Sequence, residues 1–272
     1  MRKRLLGGLV FAALNVGPAM SADVVVMPQR PVAVGVFSWT SWYAGGFVGA
    51  AWSNNADTSD PCGTSRFVCW LSPFGGEIVS YPMSTTAIGG VTAGYNYQIP
   101  GSAIVFGLET EFGALRLKGT SSFAPVSSVG FVGFPSNLVA STTIGNWYNA
   151  TTGRLGWAWD NVLFYGKGGF ALSTIESTIV DTTGLLSGTG KKDIFGWAWG
   201  AGVEYAFASK WSVKAEYLWL GLNHSIEVCA AATPPASFLG STFCSITNAP
   251  PVQTFKIGVN YLLDVGPVYD RY

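Results

Sequence analysis

The chain of 272 residues contains a single histidine and only four cysteines. His224 could act as a general base in acyl hydrolysis or transfer if a Ser or Asp stood beside it. No Gly-x-Ser-x-Gly elbow accompanies it, and a lone loop histidine is ordinarily just solvated. Gly200-Ala201-Gly202-Val203-Glu204-Tyr205 lacks the third glycine and the following helix of a dinucleotide site. Tyr165-Gly166-Lys167-Gly168-Gly169 lacks the upstream glycine and the Ser/Thr that a phosphate loop needs. The cysteines fall as Cys62 with Cys69 and Cys229 with Cys244; four allow three connectivities. No second histidine or carboxylate cluster lies near them, so metal binding is the weaker reading. Local disulfides Cys62–Cys69 and Cys229–Cys244 are expected. Neither catalysis, nor a metal, nor a cofactor is expected.

The remaining reactive groups are charges set in apolar surroundings: Glu109, Glu111, Glu204 and Glu216, against Arg154, Lys167, Lys214 and Lys256. Each lies in a segment whose apolar residues alternate with period two, the mark of a strand. In residues 104–114 one face carries Ile104, Phe106, Leu108 and Phe112, and Glu109 and Glu111 lie opposite beside Gly107 and Gly113. In residues 196–207 Trp197, Trp199, Ala201, Val203, Tyr205 and Phe207 share a face, with Glu204 among small residues on the other. Lys214 and Glu216 oppose Val213, Ala215, Tyr217 and Trp219; Lys256 and Asn260 oppose Phe255, Ile257, Val259 and Tyr261.

Eight such segments are expected, near 41–53, 86–99, 102–117, 143–158, 162–175, 193–207, 211–223 and 252–263. All 14 prolines fall outside them, as strand pairing demands. The connections alternate: 54–85, 118–142, 176–192 and 224–251 are long, whereas 100–101, 159–161 and 208–210 are tight. Charged residues make up 11% of the chain and aromatics 14%, and 35 residues are glycine, against roughly 25% charged and 7% glycine in ordinary soluble domains. A soluble sandwich or lipocalin-like barrel would turn a charged face outward, whereas here the polar face is mostly Gly, Ala and Ser. Trp42, Trp52, Tyr95, Tyr97, Trp147, Trp157, Trp159, Trp197 and Trp219 gather near segment ends, like interfacial belts. The expected fold is all-β: an eight-stranded antiparallel transmembrane β-barrel with short periplasmic turns and long extracellular loops.

Residues 1–22 have the basic start, apolar run and small-residue end of a secretory signal. The alternative, an N-terminal membrane anchor, is shortened by Asn15, Gly17 and Pro18 below the ~20 apolar residues of a spanning helix. Residues 23–40, with Pro28 and Pro31, read as a periplasmic lead-in, 41–263 as the barrel and 264–272 as a C-terminal tail. Removal of Arg2, Lys3 and Arg4 leaves 12 bases against 15 acids. With no polybasic tract, nucleic acid is not an expected partner.

Trp42-Tyr43-Ala44-Gly45-Gly46, Gly94-Tyr95-Asn96-Tyr97-Gln98, Phe106-Gly107-Leu108-Glu109 and Gly153-Arg154-Leu155-Gly156 follow one another along the chain. Gly200-Ala201-Gly202-Val203-Glu204-Tyr205 and Val213-Lys214-Ala215-Glu216-Tyr217-Leu218 complete the series. In this order and spacing the chain resembles the porin-like outer-membrane immunogenic proteins of Gram-negative bacteria. The resemblance implies an abundant surface protein of the outer membrane with structural, antigenic or weak porin roles. It also implies an assembly signal in the last strand at Lys256, Gly258, Tyr261 and Leu263, read by the barrel-assembly machinery after passage with periplasmic chaperones. Outer-membrane lipid and lipopolysaccharide would surround the wall. Three functions remain in view: a closed structural and surface-antigen barrel, a narrow porin for small solutes, and a lipid-acting enzyme using His224. The lumen charges serve the first as a salt-bridged core and the second as a pore lining.

Overall fold

The computed structural model of the chain describes residues 37–59, 78–123, 138–182, 186–222, 224–232 and 242–263. The expected signal peptide, most of the lead-in, Cys62, Cys69 and the C-terminal tail lie outside these residues. Thirteen strands form one antiparallel sheet: β1 (Ser41–Ser53), β2 (Ala56–Ser59), β3 (Ile78–Tyr81), β4 (Thr86–Gln98), β5 (Ile104–Ala114), β6 (Arg116–Phe123), β7 (Leu138–Trp159), β8 (Val162–Asp181), β9 (Leu186–Ala208), β10 (Trp211–Gly221), β11 (Ser225–Ala232), β12 (Thr242–Asn248) and β13 (Val252–Leu262).

Eight of them close a ring in the order β1-β4-β5-β7-β8-β9-β10-β13, and β13 returns to β1 from Tyr43↔Leu262 to Ser53↔Val252. Closure matters because lipid offers no hydrogen bonds, so an unpaired strand edge would be costly there. The short turns fall where the sequence places them. Gly101 takes φ +71° between β4 and β5, and Asp160 takes φ +51° between β7 and β8. Asn161 O accepts Ala206 N at 2.8 Å, tying that turn to β9.

Each wall strand sorts its side chains by parity. On β8, Phe164, Phe170 and Leu172 are exposed, whereas Leu163, Tyr165 and Lys167 are buried. The outer surface is ringed by aromatic pairs: Trp42–Tyr95 and Trp211–Tyr261 near the short-turn end, and Phe112–Trp147, Phe170–Phe195 and Trp199–Trp219 near the other. Two such belts mark the edges of an apolar band.

The long connections differ from expectation. β7, β8 and β9 run for 22, 20 and 23 residues, about twice the 9–11 that cross a bilayer. Segments read as loops hold β2, β3, β6, β11 and β12. These pair onward as β9-β11-β12-β2-β3, β6 lies on β7, and a bridge at Met83↔Gly119 joins the stretch after β3 to β6. The result is a second circuit stacked on the first. At the junction β7 carries two extra residues between Ile144 and Tyr148, with φ +98° at Gly145 and +125° at Asn146. Above this bulge the alternation continues with its chemistry reversed: Leu117, Ile144, Ile175 and Ile179 are buried, whereas Arg116, Lys118 and Thr120 are exposed. The wall turns hydrophilic outside and apolar inside because water replaces lipid around it.

Val203 lies on the outer face between Phe164 and Ala215. Val203→Arg should cost roughly 2–4 kcal/mol at a midplane position, read by urea unfolding of vesicle-inserted protein. Unchanged stability would place Val203 away from lipid.

Candidate functional site

Read upward from the short turns, the inward residues form layers. On β5 they run Val105, Gly107, Glu109, Glu111 and Gly113, and on β10 Ser212, Lys214, Glu216, Leu218 and Leu220. The lowest layer is apolar, with Trp39, Val105, Ala158, Leu163 and Ala206 buried together. Trp39 comes from the lead-in. Its amide donates to Gln98 Oε1 at 2.9 Å and its indole Nε1 to Asp160 O at 3.4 Å. It is completely buried, so the residues just before β1 stop the mouth of the ring. The sequence marks them only as a periplasmic lead-in; the clue to the plug is an aromatic pair, Phe37 and Trp39, ahead of the first strand.

The middle layer brings together all eight charges singled out from the sequence. Glu109 accepts Lys167 Nζ at 2.8 Å on Oε1 and Lys214 Nζ at 2.7 Å on Oε2. Glu111 holds Lys256 at 2.6 Å and Lys167 at 3.3 Å. Glu216 holds Lys167 and Lys256, each at 2.8 Å. Arg154 Nη2 meets Glu204 Oε2 at 2.8 Å, and Asn260 Nδ2 donates to Glu204 Oε1 at 2.7 Å. Every one of these side chains is buried.

Two tyrosines complete the layer. Tyr43 OH donates to Glu109 Oε2 at 2.8 Å and accepts Arg154 Nη1 at 2.7 Å. Tyr165 OH donates to Glu216 Oε2 at 3.0 Å, and its ring lies 3.8 Å from the Arg154 guanidinium carbon. Alternation predicts both as inward, but nothing in the sequence pairs them with particular carboxylates. Glycine makes room for them: a Cβ on Gly94 would strike the Tyr43 hydroxyl, and one on Gly202 the Tyr165 hydroxyl.

Register alone does not choose these partners. Lys214 lies directly opposite Glu204 on β9, yet its ammonium crosses the lumen to Glu109 on β5 while Glu204 takes Arg154. Arg154 and Lys167 are neighbours across the β7–β8 ladder, a like-charge pair kept apart by carboxylates from other strands. The network therefore ties opposite walls together. The carboxylates of Glu109, Glu111 and Glu216 come close enough to hold a cation, but the Lys167 and Lys256 ammonium groups already sit among them.

Above the charges, Phe47, Ile88, Tyr148, Ile194, Leu218, Leu220 and Val252 form an apolar layer. Higher still, hydroxyls link across the upper circuit. Thr58 contacts Tyr81 and Thr247, each at 3.0 Å; Tyr81 contacts Thr142 at 2.6 Å, and Ser177 contacts Thr247 at 3.1 Å.

The structure leaves the other singled-out residues apart from this centre. Cys229 and Cys244 are bonded, facing each other across β11 and β12 with Cα atoms 4.0 Å apart. His224 starts that hairpin; its carbonyl accepts Ala249 N at 2.9 Å, and its Nδ1 has no hydrogen-bond partner. Of the expected assembly-signal residues, Lys256 belongs to the charge layer itself; Gly258 and Tyr261 lie with it on β13, and Leu263 follows with its amide bonded to Trp42 O.

Removing one charge strands the others. Glu109→Gln should cost about 3–5 kcal/mol, because Glu109 is, among the described residues, the one carboxylate within 4.0 Å of the buried Lys214 ammonium. Urea titration of the vesicle-inserted variant measures it; a loss below about 1 kcal/mol would mean that water reaches the layer.

The family model described as outer membrane protein beta-barrel domain matches residues 10–261. The 31 kDa outer-membrane immunogenic proteins of Brucella melitensis biotype 1 and Brucella suis biovar 1 are each 32% identical over 265 residues, covering 92% of this chain and 96% of the relative. Among solved structures, the outer membrane protease OmpT from Escherichia coli matches with TM-score 0.52 at 11% identity, over 84% of this chain and 98% of that one. The outer membrane protein OprG from Pseudomonas aeruginosa matches with TM-score 0.43 at 10% identity, over 84% and 98%. With its closed ring, paired aromatic belts and internal charge layer, the chain belongs to the outer membrane protein beta-barrel family and resides in the outer membrane.

Proposed function

We propose that this protein is a sealed structural barrel whose upper circuit is presented at the cell surface as antigen and contact surface. The observation that carries this reading is the stacking inside the ring. Cross-lumen ion pairs are roofed by Leu218, Leu220 and Ile88 and floored by Trp39, Val105 and Leu163. An eight-stranded ring has room for little beyond its own side chains. A conducting path would have to break buried ion pairs and wet two apolar layers.

The relatives from Brucella are described as immunogenic outer-membrane proteins, which fits an exposed upper circuit. No catalytic role is part of the reading. His224 is the sole histidine, and no hydrogen bond joins it to a Ser hydroxyl or carboxylate among the described residues. Barrel-assembly machinery and periplasmic chaperones are the partners during biogenesis, with the β13 residues Lys256, Gly258 and Tyr261 inside the signal, and lipopolysaccharide surrounds the finished wall.

Single-channel recording of refolded protein in planar bilayers tests the reading. A nearly silent record is expected, and discrete openings that change when Glu109 and Arg154 are neutralised together would replace it with a narrow porin. The disulfide supplies a second test. Closing a loop of 15 residues between Cys229 and Cys244 restricts the unfolded chain by about 3 kcal/mol on the loop-entropy view. The bond lies in the upper circuit, away from the ring, so reduction should leave heat-modifiability on gels intact while weakening binding of antibodies raised against intact cells.

A further inference from the structure

The described cations partition sharply. Arg154, Lys167, Lys214 and Lys256 are buried in the lumen, and Lys210 lies in the turn after β9. The other four, Arg116, Lys118, Lys191 and Lys192, are exposed and stand just above the upper aromatic belt. Among the described residues none of these four forms an ion pair within 4.0 Å. Lys191 faces Glu176 across the β8–β9 ladder, and Asp193 follows Lys192, so positive charge there is balanced locally. Among the described residues Arg116 and Lys118 lack such neighbours. The carboxylate in register with Lys118 is again Glu176, reached only across Thr143, two strand spacings or about 10 Å away.

Arg116 and Lys118 stand where the wall leaves the apolar band. Arg116 pairs with Gly145, inside the bulge of β7. The next residue, Asn146, is exposed and holds φ +125°, a strained value for any residue with a Cβ. Its amide is bonded to Leu115 O at 2.6 Å, which fixes the bulge against the start of β6. Trp147 then lies flat on Phe112, with centroids 5.9 Å apart and planes 17° apart. Within a few residues the wall offers an aromatic ring at the belt, an exposed carboxamide, and two exposed cations above them. Bulges beside functional sites re-aim side chains in this manner.

A ligand that fits must carry negative charge at the height of the belt and polar sugar-like groups beside it. Arg is suited to bind phosphate in bidentate fashion, and Trp and Asn suit a sugar ring. We propose that the β7 bulge and the start of β6, through Arg116, Lys118, Asn146 and Trp147, dock the phosphorylated sugar headgroup of lipopolysaccharide in the outer leaflet. This rests on the reading that the upper circuit faces the cell exterior.

The test is a titration of the purified full chain, in neutral maltoside micelles, with lipid A. Arg116→Gln combined with Lys118→Gln should weaken binding roughly 30-fold, the equivalent of about 1 kcal/mol for each cation near an anionic lipid surface. Lys191→Gln combined with Lys192→Gln should change it no more than about threefold. Dephosphorylated lipid A should bind the wild type as weakly as lipid A binds the first variant, and millimolar inorganic phosphate should not displace lipid A. Equal affinities for both double variants, tight binding of the dephosphorylated lipid, or displacement by phosphate would each overturn the assignment. Both pairs lie on the outer wall, so heat-modifiability should be unchanged; if the double variant fails to fold, Arg116→Gln alone carries the test, with several-fold weakening expected and wild-type affinity overturning it. Orientation is checked separately, by labelling Ser122→Cys on intact cells with an impermeant maleimide. Absence of labelling would sink the surface reading itself, whereas the micelle titration judges the docking site alone.

Discussion

Everything in this molecule depends on the closure of the backbone ladder within a solvent that cannot hydrogen-bond. Because β13 pairs with both β1 and β10, no edge is left in the apolar band, and unpaired amides and carbonyls there would each cost several kcal/mol. Closure then fixes parity. Once β1 and β13 are in register from Tyr43↔Leu262 to Ser53↔Val252, each residue of the ring is committed to lipid or to lumen, and a slip by one residue would send Lys256 into lipid and Phe255 inward. The aromatic belts, the charge layer and the glycine gaps are all consequences of that single assignment.

The lumen could have been filled with aliphatic side chains, and on energetic grounds alone such a core is often as stable as buried ion pairs. Charges accomplish something different. A leucine makes equivalent contacts with many neighbours, whereas Glu109 is satisfied only if Lys167, Lys214 and Tyr43 all arrive together. These partners come from β8, β10 and β1, so the network discriminates between the native arrangement of strands and near-misses that would satisfy an apolar core equally well. The apolar layers on either side lower the local dielectric, which strengthens each pair and raises the cost of leaving any group unmatched.

What could be read from the sequence follows from these constraints. Inward placement of Glu109, Arg154, Lys214 and the other charges was legible because period-two alternation places them opposite Phe106, Leu155 and Val213. Most of their pairing was not: Glu216 and Lys256 face each other in register across β10 and β13, but Lys167 and Lys214 reach Glu109, and Lys256 reaches Glu111, across the lumen from strands that are not neighbours. The ring strands were legible wherever lipid demands an apolar outer face. Above the belt the same strands read as loops, because their apolar residues turn inward and the outward face is polar. Residues 174–181 of β8 alternate as regularly as the lower half, with Ile175 and Ile179 inward and Glu176 and Thr178 outward. The reversal is legible in principle: it begins at the bulge, where Gly145 and Asn146 break the β7 register.

That reversal also bears on what the cell surface would meet. In a barrel capped by irregular loops, exposed segments change shape easily and antibodies can recognise them as short linear pieces. Here the upper circuit is itself laddered. β11 and β12 are paired through seven residue pairs and cross-linked at Cys229–Cys244. β2 joins β12 through Thr58↔Thr247, where the two hydroxyls also meet. Neighbouring positions on the outer surface thus come from strands far apart in sequence: Ser59 lies beside Ile246. A surface assembled in this way is recognised as a whole, and its shape is inherited from the ring beneath through the continuous strands β7, β8 and β9. The charge layer that locks the ring therefore also holds, at one remove, the face that the protein turns outward.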